Sequence, residues 1–207
     1  MMNKTLEYLY NVHKLFESDK VDNALNIKIN EYLDYIDTHK KNVEKAWEYV
    51  KKIDNPYIKD NLDIIEENIK NHDQSKYQDD EFEWYRKKYF PVDDEEAEEV
   101  MDKINDIFKL HYSRNPHHWD YWLNEDGELD YSKHSEDEVD NNVMIAYIEM
   151  LCDWASFGLK QDKPRELRSW YISNKPKITL FPAEQEQLED ILEEYISKFP
   201  EEDEEDE

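Results

Sequence analysis

Apolar residues recur along this chain at intervals of three and four, the spacing of a helix face, and rarely at the interval of two that marks a half-buried strand. "TLEYLYNVHKLF" reads as a first short helix. A long second helix is predicted from Ala24 to Ile53, where Ile29, Leu33, Ile36, His39, Val43, Ala46, Trp47 and Val50 share one face. Asn55-Pro56 ends it, because a proline disfavours helical backbone in the residue before it. A third helix, Ile58 to about His72, aligns Leu62, Ile65 and Ile69, with His72 three residues beyond Ile69. "DEFEWYRKKYF" is a fourth, stopped at Pro91, and a fifth from about Asp94 to Ser113 carries Val100, Met101, Ile104, Phe108 and His111 on one stripe. Glu138 to about Phe157 forms a sixth, turning Val143, Ala146, Tyr147, Met150, Asp153, Trp154 and Phe157 inward. "KPRELRSWYISN" is a seventh with Pro164 in its first turn, and "EQEQLEDILEEYISKF" a last one, docked through Leu188, Ile191, Leu192 and Tyr195. Only "NPHHWDYWLNEDGELDYSKHSEDE" departs from this periodicity, with "NEDGE" as a surface turn.

The pattern predicts an all-α protein. No repeat and no Gly/Ser/Pro-rich linker interrupts it, so residues 1–199 read as a single compact helical domain with connections short enough to force neighbouring helices together. The last seven residues, "EEDEEDE", are all acidic, and residues 200–207 read as a solvated, disordered tail.

Composition narrows the function. The two glycines, Gly127 and Gly158, cannot furnish a Gly-rich phosphate cradle, which removes P-loop and dinucleotide-binding readings. The net charge is −27, and setting the acidic tail aside still leaves −20. A surface of that sign repels nucleic-acid phosphates and anionic membranes, so neither is expected as a general partner. The lone cysteine, Cys152, permits no internal disulfide and reads as a small buried residue. With no long apolar run and no signal-peptide pattern at the start, the expected location is the cytoplasm.

The candidate chemistry lies where polar residues interrupt apolar stripes. His39, His72 and His111 each continue such a stripe, and Asp153 breaks one between Met150 and Trp154. A carboxylate facing an apolar interior needs an ionic partner, hydrogen bonds or a metal. Neutral imidazoles and carboxylates from several helices suit a divalent cation such as Mn, Fe, Zn, Ni or Mg. The plain alternative for any one of them is a hydrogen-bonded core histidine. The adjacent His72-Asp73 pair, the His117-His118 pair after Pro116 and the inward Asp153 together favour the metal. If Asn115 caps a short helix with Pro116 at its first position, His117 and His118 diverge by about 100° and at most one is a ligand. His13 and His134 sit in polar contexts and read as surface residues.

This spacing resembles the HD-domain superfamily of metal-dependent phosphohydrolases, whose pattern is a His on one helix, a His-Asp pair on a later one and a final Asp on another. The positions here are His39 in "THKKNV", His72-Asp73 in "HDQSK" and Asp153 in "EMLCDW". "HDQSK" is similar to the H-D-x-G-K form of that superfamily, with Ser75 in place of the glycine, and some branches add a His-His pair where His117-His118 stands. "HDQSKY", "NPHHW", "EMLCDW" and "WYISNKPKITLFP" together resemble a family of phages and bacteria known only as a domain of unknown function, over roughly residues 25–198. The superfamily resemblance implies a metal held by His39, His72, Asp73 and Asp153. It also implies Lys76 as a phosphate contact, against a helix-end surface lysine, and Glu149 as the residue that orients a ligand or accepts a proton.

The function expected on this reading is hydrolysis of a small anionic phosphorylated substrate such as a nucleotide. Arg86, Lys87, Lys88, Arg114, Arg165, Arg168, Lys175 and Lys177 could focus such an anion, or could simply pair with the abundant carboxylates. Trp119 and Trp122 are the aromatics placed to stack a base, although most aromatics at helical spacing are core. Two other readings stay open: a di-iron oxygenase built on the same ligand types, and a non-catalytic acidic protein that mimics DNA or binds another protein.

Overall fold

The computed structural model describes residues 23–200; the "TLEYLYNVHKLF" helix, His13 and the acidic residues 201–207 lie outside them. The described residues form eight α-helices joined by loops and short 3-10 turns. They contain no strand beyond one isolated bridge between Leu123 and Leu129, so the protein is all-α. The helices are α1 (Asn23–Val50), α2 (Pro56–Asp60), α3 (Leu62–Asn71), α4 (Asp79–Tyr89), α5 (Asp94–Arg114), α6 (Asn141–Lys160), α7 (Glu166–Asn174) and α8 (Pro182–Ser197). They divide into two compact units, one of residues 23–38 and 71–115, the other of residues 39–70 and 116–200.

In the first unit, the early turns of α1 pack with α4, α5 and a 3-10 turn, Gln74–Tyr77, around Tyr32, Ile36, Tyr77, Phe82, Tyr85 and Ile107. Tyr32 meets Phe82 edge to face at 5.0 Å, the geometry that aromatic quadrupoles favour. Asp93 caps α5 by accepting the Glu96 N–H at 3.0 Å. The buried stripe of α5 is Val100, Ile104, Ile107 and His111, whereas Met101, expected on it, turns outward. Arg86 is fully buried on α4, yet its charge is met by Glu83 at 2.8 Å and Glu96 at 2.9 Å. Its planar fork suits such pairing.

The second unit is organised by α6. Nearly every residue from Val143 to Ala155 is buried, which is what a helix apolar on all sides requires. Around it lie Val43, Trp47 and Val50 from α1, Ile65 and Ile69 from α3, and Leu188, Ile191 and Tyr195 from α8. Each such large side chain contributes roughly 1.5–3 kcal/mol by leaving water. The helix predicted from Ile58 to His72 is broken in two. Asn61 sits outside helical geometry, donates to the Tyr57 carbonyl at 2.8 Å and trades amide hydrogen bonds of 2.7 and 2.8 Å with Asn141. Pro56 opens α2, with Asn55 as its cap. Asp140 caps α6 by accepting the Asn142 and Val143 N–H groups at 2.7 and 3.2 Å.

The least helical stretch is held by its own polar groups. The Asn124 side chain accepts the N–H groups of Asp126 and Glu128, and Gly127 takes a φ of 79°, so the predicted "NEDGE" turn forms. Past α6, Gly158 lets the chain fold back closely: a Cβ there would stand 2.8 Å from the Lys163 carbonyl oxygen.

Candidate metal-ligating clusters

In the first unit the chemistry starts from a backbone turn. Asp73 adopts left-handed backbone with φ of 56°, a conformation that Asp tolerates better than bulkier residues, and so directs the chain into the 3-10 turn Gln74–Tyr77. His72 and Asp73 are both buried. Two imidazoles flank the Asp73 carboxylate: His72 Nε2 stands 3.6 Å from Oδ2, and His111 Nε2 stands 3.2 Å from Oδ1. Lys76 Nζ, 2.6 Å from Oδ2, lies also 5.4 Å from the centre of the Tyr85 ring. Lys76 is therefore an ion-pairing residue rather than a helix-end surface lysine.

The other side of His111 is fixed by Glu81, which sequence reasoning did not single out. Its Nδ1 is 2.8 Å from the Glu81 carboxylate, and Glu81 is fully buried. Glu81 also accepts the Ser75 hydroxyl at 3.0 Å and the Arg114 guanidinium at 3.0 Å. The Asn115 amide donates to Ser75 Oγ at 2.9 Å. Ser75 thus has a role that glycine could not fill, since its hydroxyl ties the turn to Glu81. An ionised Glu81 only accepts, so the Nδ1 proton points to it, and a neutral His111 then turns a lone pair toward Asp73. A cation between that nitrogen and that carboxylate would be coordinated by both.

The second unit holds a comparable arrangement. Asp153 on α6 faces His39 Nε2 at 3.1 Å, while Ser156 Oγ, one turn along, lies 3.2 Å from His39 Nδ1. A ring nitrogen of His117 lies within 4.8 Å of the Asp153 carboxylate, and His117 Nδ1 is 3.0 Å from Glu149, one turn before Asp153. Glu149 therefore holds a histidine in place. His118 is half-buried, with its ring centre 4.4 Å from that of His117. The short helix expected from Asn115 does not form. Asn115 closes α5, and His118 has extended backbone with φ −100° and ψ 133°. The 100° divergence argued from helical geometry does not apply, and the two histidines offer nitrogens within 4.8 Å of each other. The buried His and Asp groups of this protein could hold a metal ion.

Other sequence expectations come out differently. His134 is not a surface residue: it is half-buried, with Nε2 2.8 Å from Glu184. Burial pulls its pKa down, but the Ser135 carbonyl and the Glu184 and Asp140 carboxylates outweigh that and raise it. Trp122 is core, packed on Tyr147 and Phe181 with its indole N–H on the Pro116 carbonyl at 2.8 Å, so it is not available to stack a base. Trp119 packs against Trp154. Most of the basic residues pair: Lys87 with Glu99, Arg114 with Asp80, Arg168 with Glu193 and Lys175 with Glu189. Cys152 is buried as expected, and burial pushes its thiol pKa well up.

Among the described residues, no helix is long and apolar enough to cross a membrane. The model of a family of unknown function, DUF5662, matches residues 28–198. No curated protein and no solved structure matches the chain.

Proposed function

The chain belongs to the DUF5662 family, a family of unknown function, and from its own residues we propose that it is a metal-dependent phosphohydrolase acting on a small phosphorylated substrate such as a nucleotide. What supports this reading most is how the histidines are held. His39, His111 and His117 each have Nδ1 against a second polar group: Ser156, Glu81 and Glu149 respectively. The Nε2 atoms of His39 and His111 face the Asp153 and Asp73 carboxylates. Metal-binding histidines are commonly oriented in this way, with one nitrogen anchored and the other presented.

The ligands in this proposal are taken unit by unit: His72, Asp73 and His111 in the first, and His39, His117, His118 and Asp153 in the second, with His39, His72, Asp73 and Asp153 the ones that the HD-domain resemblance implies. A divalent cation bound in either group would polarise a phosphoryl oxygen and bring a bound water toward a neutral pKa. The protein's own groups have separate tasks. Glu81, Ser156 and Glu149 keep the imidazoles oriented. Lys76, beside Asp73, is placed to meet an oxygen of an anionic substrate. The substrate's phosphate must find this positive group in a strongly acidic molecule, which favours a small ligand over a polyanion.

The test is elemental analysis of the untagged full chain beside folded His72→Ala and Asp153→Ala variants, followed by phosphate release from nucleoside monophosphates. Stoichiometric Mn, Fe, Zn or Ni in the wild type, with bound metal and phosphate release reduced in each variant, is the expected result. A wild type that stays empty when offered these ions ends the proposal. Iron binding with dioxygen consumption and no phosphate release would assign the oxygenase instead.

A further inference from the structure

Within the second unit, a cavity of about 360 Å³ opens between α6 and α7. It is lined by Trp154, Phe157, Gln161, Glu166, Leu167 and Trp170. We propose that this cavity binds the base of a nucleotide, specifically one whose edge presents two adjacent N–H donors, as guanine does. The proposal rests on the phosphohydrolase reading for what happens to the nucleotide, but not for the binding of its base.

The walls supply the first argument. Phe157 and Trp170 are 48% and 40% exposed, so two large aromatic side chains in the lining are open to water beside buried Trp154 and Leu167. Leaving such faces in water forgoes burial that would otherwise stabilise the fold, and planar aromatic ligands recover it by stacking. The rim supplies the second argument. Glu166 is the carboxylate of the lining, and it pairs with exposed Lys163 at 2.8 Å. A surface pair of that kind is worth little and exchanges readily, so its two oxygens can accept the parallel N–H groups of a guanine edge. Position supplies the third. Trp154 directly follows Asp153, and the Phe157 ring lies 5.4 Å from His39, so the cavity adjoins the His39–Asp153 pair in the same unit. A base held here extends its phosphate end toward that pair. Gly158 also lines the cavity, where the chain returns closely at Lys163.

The test uses the metal-free full chain in chelator with guanosine and inosine, neither of which carries phosphate, read by quenching of tryptophan fluorescence and by calorimetry. Guanosine is expected to bind saturably and more tightly than inosine, which lacks one of the two donors. Trp170→Ala, a change at a partly exposed site, is expected to weaken guanosine about 5- to 150-fold. Glu166→Gln is expected to abolish the preference over inosine. No saturable guanosine binding, unchanged binding by Trp170→Ala, or equal affinity for the two nucleosides in the wild type would each overturn the assignment. Because neither metal nor phosphate takes part, failure here is distinguishable from failure to bind metal or release phosphate.

Discussion

Glu81 offers the sharpest check on the claim that buried polar groups hold the histidines in place. Replacing it with alanine strips the partner from three groups. Arg114 keeps Asp80 and loses little, because that pair is partly solvated. His111 and Ser75 are buried, and each loses a hydrogen bond to a charged carboxylate, which costs about 1.5–3 kcal/mol. The sum, about 3–6 kcal/mol, is close to the ~3–5 kcal/mol that breaking a buried charged pair typically costs. Glu81→Gln keeps the volume and one acceptor, and should cost about 1–2 kcal/mol. Urea unfolding at neutral pH, followed by far-UV circular dichroism and tryptophan fluorescence together, measures both. The same variants should lose about 10- to 100-fold in metal affinity, since the His111 ring would no longer be oriented. If Glu81→Ala unfolds within about 1 kcal/mol of wild type, Glu81 does not anchor His111 and the reasoning fails.

Two further substitutions test the scaffold. Asp140→Ala removes the cap of α6 and should destabilise by about 1 kcal/mol at pH 7. Burial raises the Asp140 pKa, but the N–H groups of Ser135, Val143 and Asn142 outweigh it and hold it below the usual carboxylate range. Its stabilisation is thus complete above the unfolded value of about 4 and is lost as pH falls through the lower folded value, so the deficit of Asp140→Ala should shrink in acid. A constant deficit in urea melts down to pH 2 would contradict this. Gly158→Ala forces a methyl group against the Lys163 backbone and should cost about 1–3 kcal/mol, a drop visible in thermal melts; an unchanged melting temperature would show that the loop yields freely.

The helices and the histidines were legible because both depend on periodicity. His72 follows Ile69 by one turn and His111 follows Ile107 by one turn, so burial of the apolar residue predicts burial of the histidine. Glu81 was illegible for the opposite reason. It stands beside Asp79 and Asp80 in the first turn of α4, where acids are favoured by the helix dipole whatever they touch. Only packing distinguishes the buried one. His134 was misread because its partner, Glu184, lies fifty residues away in a chain where carboxylates are everywhere. Asn61 breaks a helix through an amide exchange with Asn141, and a contact across eighty residues leaves no local trace. Trp122, expected to stack a base, is core instead, because an aromatic residue in an irregular segment carries no readable face.

The discontinuity of the second unit bears on how the chain is made. Residues 39–70 form one piece of it and residues 116–200 the other, so the apolar face of Val43, Trp47, Val50, Ile65 and Ile69 has no α6 to cover it while the intervening stretch is being synthesised. Lys160, the last residue of α6, leaves the ribosome ninety residues after Lys70, an interval of roughly 5–18 s at ~5–20 residues per second. Residues 71–115, with the early turns of α1, complete the other unit first. A nascent chain halted once residue 115 has emerged from the ribosome should therefore carry one finished unit and one uncovered hydrophobic face, which makes that point of synthesis the one where a chaperone has most to bind.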